Sequence, residues 1–294
     1  MYDFCQDPKK LQEKDPLWKG ATILDDMQKN SQRCWLPGKW LAVDEQTIGF
    51  KGAHGLALCI SYKRKGDGNQ CDAVCKDGYT FLFYFHHGNV PTLPPKYNDL
   101  ELSPTGRRVI FLMMQLPNIW SHIFMDNLFN SCKLFTAVYH AKAVCHGVVR
   151  SYGRGVPKAV IMKEEKNVKE ADRLRNWTKA AVLRNAEDCP DLLCCSVYDT
   201  KPVHIMSTVA ECIEWDEKDQ KVWSSELGGH VSMKYLCLNL IDDYNIHMNS
   251  VDLADQLRNC YRFNHWFWNR KWWRALFLLA ISNQLCSNKS IHHV

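Results

Sequence analysis

The chain has 294 residues, 46% hydrophobic and 12% aromatic, which suffices to bury one large or two modest cores and excludes a disordered chain. Its formal net charge of +5, spread over that length, permits a polyanionic partner without demanding one. The 14 cysteines are scattered, with no spaced disulfide framework and no apolar leader in residues 1–10, so a reducing compartment is expected.

Residues 1–39 read as a short helix and a loop that precede the main fold, closed by the Pro37-Gly38 turn. Trp40-Leu41-Ala42-Val43 is predicted to open a central strand, with Asp44 at its carboxyl end. Residues 54–62 read as a second strand running into the basic cluster Lys63-Arg64-Lys65, and residues 66–69 as a turn. Residues 71–74 and the aromatic run 79–86 read as buried sheet. Cys71 and Cys75 lack a second ligand pair at finger-like spacing, and His86-His87 lacks a third ligand, so neither group is taken as a metal site.

A Pro-rich loop at 88–103 leads to residues 105–116, where Val109, Leu112, Met113 and Leu116 have helical spacing. A buried strand at 119–125 stops on Asp126-Asn127, an amphipathic helix is expected over 128–139, and the next strand over 143–149. Strand, helix and strand with a carboxylate at a strand's carboxyl end is where open α/β sheets place ligands.

From Arg150 the character changes. Arg150, Arg154 and Lys158 surround a Gly-Arg-Gly-Val-Pro turn and are candidate phosphate contacts, while the mixed-charge run 163–175 reads as a solvated helix. Short β-like pieces at 192–197, 203–209 and 221–223 read as an insertion interrupting the main sheet, and residues 234–241 bring the chain to the last acidic motif. The segment 258–288 carries Trp266, Trp268, Trp272, Trp273, Phe277, Ile281 and Leu285 on overlapping helical faces, interleaved with Arg262, Arg270, Lys271 and Arg274. A core-packing helix with snorkelling cations accounts for most of this pattern, with Trp272, Phe277 and Ile281 expected in the core and Arg270 and Lys271 left open as phosphate contacts. Its apolar run, residues 275–281, is too short to span a bilayer, so no membrane partner is expected. The domain reading is residues 1–39 as a linker, 40–150 with 234–294 as a discontinuous core, and 151–233 as the insertion.

Asp44, Asp126 and the acids of Asn249-Ser250-Val251-Asp252-Leu253-Ala254-Asp255-Gln256 each stand at the end of an apolar run or the start of a helical one. Folds display side chains outside the core at such points. Converging carboxylates repel one another unless a cation sits among them, and hard oxygen ligands suit Mg²⁺ or Mn²⁺. Two such ions roughly 3.5–4 Å apart activate an attacking oxygen and stabilise a leaving one in phosphoryl transfer. Spacing alone does not establish this, because Asp is more often a cap or turn residue.

Five stretches, in order, resemble the piggyBac-type transposases and their domesticated relatives. They are Pro37-Gly38 through Asp44-Glu45-Gln46 with Gly49-Phe50-Lys51-Gly52; Asp126-Asn127-Leu128-Phe129; Gly147-Val148-Val149-Arg150-Ser151 with Val156-Pro157; Tyr244-Asn245 through Asp252 to Gln256; and Arg270-Lys271-Trp272-Trp273 through Asn283. The resemblance implies an α/β fold, a ribonuclease-H-like mixed sheet flanked by helices, with a β-containing insertion before the helix that brings the last acid. It implies that Asp44, Asp126 and Asp252 form a DDD set holding two Mg²⁺ or Mn²⁺ ions, with Asp255 an accessory ligand one helical turn on. It further implies a nuclear enzyme, working as a homodimer, that cuts DNA at transposon ends, passes through a hairpin and inserts at TTAA sites.

The chain departs from the family pattern where Asn249-Ser250 replaces the usual Gly-Gly, since left-handed backbone is harder for Ser. Gly52-Ala53 replaces Gly-Arg, and the flanking DNA-binding and Cys-rich portions of the family have no counterpart in this sequence. These departures motivate an alternative expectation: a catalytically decayed or domesticated descendant that binds DNA or a protein through the same fold.

Overall fold

The computed structural model describes residues 15–50, 58–59, 67–86, 90–117, 120–153, 155–163, 177–184, 191–199, 201–209, 213–260 and 271–291. Lys63-Arg64-Lys65, His87, Arg154, most of the mixed-charge run, Arg262, Trp266, Trp268 and Arg270 lie outside them. The chain divides into two compact units: Met1–Lys96 with Ser103–Ile119 and Asn249–Val294, and Tyr97–Leu102 with Trp120–Met248.

In the first unit, helix α1 (Ala21–Cys34) buries Leu24, Met27 and Ser31, a stripe at three- and four-residue spacing. Strand β1 (Trp40–Gly49) pairs antiparallel with β3 (Asp67–Lys76), and the two-residue β2 (Leu58–Cys59) pairs with the start of β3. Asp77 and Gly78, both at positive φ, turn β3 back into β4 (Tyr79–Phe85) as a two-residue hairpin. Two sequence expectations are corrected here. Asp44 lies in the middle of β1, not at its end, because polar residues 44–47 keep pairing with β3 and backbone hydrogen bonding outweighs the loss of apolar character. For the same reason residues 67–69, read as a turn, are strand.

Helix α1 is tied to β4 by Tyr79 Oη, which donates to the Ser31 carbonyl at 2.7 Å, and by Gln28 Oε1, which accepts from the Phe83 N–H at 2.9 Å. Helix α2 (Pro104–Met113) starts where Ser103 Oγ accepts from the Gly106 N–H, with Pro104 pre-set for the first turn. The core of this unit gathers Ala42 and Ile48 of β1, alternate residues of β3 and β4, and helices later in the chain, α5 (Ser250–Cys260) and α6 (Trp272–Ile291). On α6 the residues that join this core are Ala275, Leu276, Leu279 and Ala280. Phe277 does not join it and is 43% exposed, so its expected place in the core is corrected: helical phase, not side-chain size, decides burial.

The second unit is built on β5 (Ser121–Met125), helix α3 (Cys132–His140) and β6 (Ala143–Val148), with β5 and β6 parallel. Ser131 caps α3 through Leu134 N–H, which is why the helix starts later than residue 128. Strand β9 (Pro202–Ser207) joins β6 antiparallel, followed by β8 (Leu192–Tyr198) and β7 (Thr178–Leu183). Every residue of β8 is buried, as in a strand covered on both faces. Strands β10 (Trp215–Ser224) and β11 (Gly229–Leu238) form a separate ribbon, and α4 (Asn239–His247) packs on β6 and β9. Parallel and antiparallel strands flanked by helices make this an α/β chain of the ribonuclease-H-like kind.

Candidate functional site

Side chains alternate along β1, so Asp44 shares a face with Ala42, Gln46 and Ile48. That face is the one packed by α5, since Ala42, Ile48, Val251 and Ala254 belong to one core cluster. Asp44 is half-buried, and its Oδ1 accepts from the Glu45 N–H at 2.8 Å. With Val251 and Ala254 turned to the sheet, Asp252 points to solvent and Asp255 lies at the edge of the packed face. Asp255 Oδ1 accepts from Arg258 Nη2 at 2.7 Å. Arg258 also reaches back to β1, where Gln46 Oε1 and the Thr47 carbonyl accept from its guanidinium at 3.5 Å each.

Cys71 and Cys75 are buried in the same core cluster. Burial pushes the Cys75 thiol up to about 12, with Asp255 and Asp44 adding to the push and Thr80 and Arg258 opposing it. The Asn249-Ser250 departure is absorbed quietly: among the described residues, the non-glycine positions at positive φ are Asp77, Glu101 and Lys142, so Ser250 opens α5 on ordinary backbone.

In the second unit Asp126 follows directly on β5 and is half-buried in a turn closed by the Phe129 N–H donating to its carbonyl at 3.1 Å. Asn130 clamps that turn, its Nδ2 donating to the carbonyls of Met125 at 2.8 Å and Val148 at 2.7 Å. A Cβ on Gly147 would stand 2.2 Å from the Met125 carbonyl oxygen, so only glycine fits beside the β5 end. The sequence reading picked out Gly147 but missed Asn130, whose role depends on a strand 18 residues away. Exposed Arg150 donates through Nε to Asn127 Oδ1 at 3.1 Å, beside the same turn. Phe124, on the Asp126 face of β5, pairs in register with buried His146, whose ring nitrogen lies 2.6 Å from the Leu240 carbonyl. Burial pulls His146 down to about 4, against the Leu240 hydrogen bond, with His122 and His247 adding to the fall.

The family model described as Transposase IS4 matches residues 3–286. The chain belongs to that family. A cryo-EM structure of a piggyBac transposase synaptic complex with hairpin DNA shares its fold, with a TM-score of 0.65 and 20% sequence identity over 95% of this chain and 52% of that one. The chain thus spans about half the length of the solved relative. This shared fold and the order of the acidic motifs are the features in which the chain resembles piggyBac-type transposases.

For this transposase-family chain the fit to a two-ion centre is incomplete. Among the described residues, no group of three or more His, Cys, Asp or Glu side chains is arranged to hold a metal ion. The accessory acid Asp255 already has a cation, Arg258. Of the expected phosphate contacts, Arg150, Lys158 and Lys271 are exposed, whereas Arg154 and Arg270 lie outside the described residues.

Proposed function

We propose that this chain is a transposase-derived DNA-binding core, catalytically decayed or domesticated, that holds DNA through its ribonuclease-H-like fold. The observation that carries this reading is the Asp255–Arg258 ion pair, in which a side chain of the same helix supplies the counter-charge to an acid of the last motif. Exposed Arg150, Lys158 and Lys271 and the net charge of +5 support a DNA partner, engaged mainly through its phosphates. The related synaptic complex carries hairpin DNA, which makes a hairpin the first ligand to try, and the family resemblance adds transposon-end and TTAA duplexes. In this reading residues 40–150 and 234–294 form the core, residues 151–233 the insertion, and the protein acts as a nuclear homodimer.

The test is fluorescence anisotropy on labelled hairpin and TTAA duplexes across a salt series, together with a nicking assay in Mg²⁺ and Mn²⁺. Binding that weakens linearly in log salt, without nicking, is expected. No binding at low salt ends the DNA reading.

A second reading is metal-dependent strand cleavage and transfer by Asp44, Asp126 and Asp252 with Mg²⁺ or Mn²⁺. It is favoured by the turn at Asp126, which Gly147 and Asn130 brace from two sides, and by the exposure of Asp252. Nicking in Mn²⁺ that disappears in Asp126→Ala establishes this reading over the first.

A further inference from the structure

Arg258 binds three oxygens of different kinds: a carboxylate of Asp255, an amide oxygen of Gln46 and a backbone carbonyl of Thr47. Carboxylate, amide and carbonyl oxygens are the ligand chemistry of a hard divalent cation. The Arg258 side chain is only 12% exposed and the Asp255 side chain 29%, so the pair is partly desolvated. Gln46 is fully buried, and with its oxygen turned to Arg258 its amide nitrogen has no hydrogen-bond partner among the described residues. Satisfying the guanidinium therefore decides which way that amide faces. Asp44 lies two residues along β1 on the same face, about 7 Å away by strand geometry.

We propose that Arg258 is the resident cation of this acidic face, taking the electrostatic place of a divalent ion, so that the affinity of Asp44 and Asp255 for Mg²⁺ or Mn²⁺ is set by the guanidinium. A positive charge anchored between β1 and α5 repels an incoming cation and occupies an oxygen that the cation needs. The face is thereby stable without metal, and the same contact ties α5 to β1. The inference rests on the reading of Asp255 given above but not on DNA binding, and the experiment contains no DNA. Loss of DNA binding and failure of this proposal are thus separate results.

The experiment is a Mn²⁺ titration of the full chain, with free Mn²⁺ read by electron paramagnetic resonance and competition by Mg²⁺, in wild type, Arg258→Gln and Arg258→Lys. Arg258→Gln is expected to bind Mn²⁺ at least tenfold more tightly, and Arg258→Lys, which keeps the charge, to stay within threefold of wild type. Unchanged affinity in Arg258→Gln, or equal tightening in both variants, overturns the proposal. Circular dichroism checks that each variant is folded. Should Arg258→Gln not fold, Asp255→Asn provides the second arm, because it removes an acid and leaves the guanidinium in place. Its Mn²⁺ affinity is expected to fall at least threefold, and an unchanged or higher affinity overturns the proposal.

Discussion

Gly147 lies directly against Asn130: a Cβ at position 147 would stand 2.3 Å from Asn130 Nδ2 as well as 2.2 Å from the Met125 carbonyl oxygen. The second neighbour is backbone and cannot swing aside. Gly147→Ala is therefore expected to cost about 2–4 kcal/mol, through displacement of the β5 end or loss of the Asn130 clamp. Urea denaturation measures it. A change below roughly 0.5 kcal/mol would show that the β5 end yields freely.

Asp72 is fully buried on β3, accepting from Arg108 Nε at 2.5 Å and lying 2.8 Å from His86 Nε2. Arg108→Met leaves that carboxylate buried without its strongest partner, and a loss of about 3–5 kcal/mol is expected. The double variant Arg108→Met/Asp72→Asn should recover part of the loss, because no unmatched charge remains. A double-mutant cycle reads the coupling, and strict additivity of the two changes would refute the pairing.

His146 gives the second unit an acid-sensitive element. Its folded value of about 4 lies below the ordinary histidine value near 6.5, so below that pH the unfolded chain binds more protons than the folded one. Stability is full above about pH 6.5 and declines as the pH falls toward 4, by roughly 3 kcal/mol over the window. Chemical denaturation at several pH values should show this decline in wild type and a flatter profile in His146→Gln. Equal slopes in the two proteins would place the acid sensitivity elsewhere.

If the exposed cations track a phosphate backbone, each makes a separable contribution to the salt dependence. Arg150→Ala and Lys271→Ala are each expected to lower the slope of log affinity against log salt by about 1, with similar effects on unrelated duplex sequences. Arg150 also holds Asn127, so its variant should show an additional small loss of stability that Lys271→Ala lacks. A slope unaffected by either substitution would move the DNA contact to another surface.

Elements with strong local pattern were legible before any coordinates. The aromatic strand β4, the strand, helix and strand from β5 to β6, and the helix α2 all appear, with α3 starting later and α2 ending earlier than the apolar runs suggest. Boundaries set by pairing were less visible. The polar half of β1 looks like a loop until β3 lies beside it, and α6 shows too many apolar residues for one face to stand out. At the site, the motif acids were readable, but Arg258 and Asn130 were passed over as ordinary polar residues.

The sequence by itself determined the family, the order of the acidic motifs and the α/β character, because these depend on residue type and short-range periodicity. Tertiary structure alone decided that Gln46 and Arg258, 212 residues apart, hold one face together, and that Asn130 bridges two strand ends. The reason is physical. A hydrogen bond between distant residues leaves no trace in local hydrophobic spacing, and its formation depends on packing that brings a helix onto a particular face of a sheet.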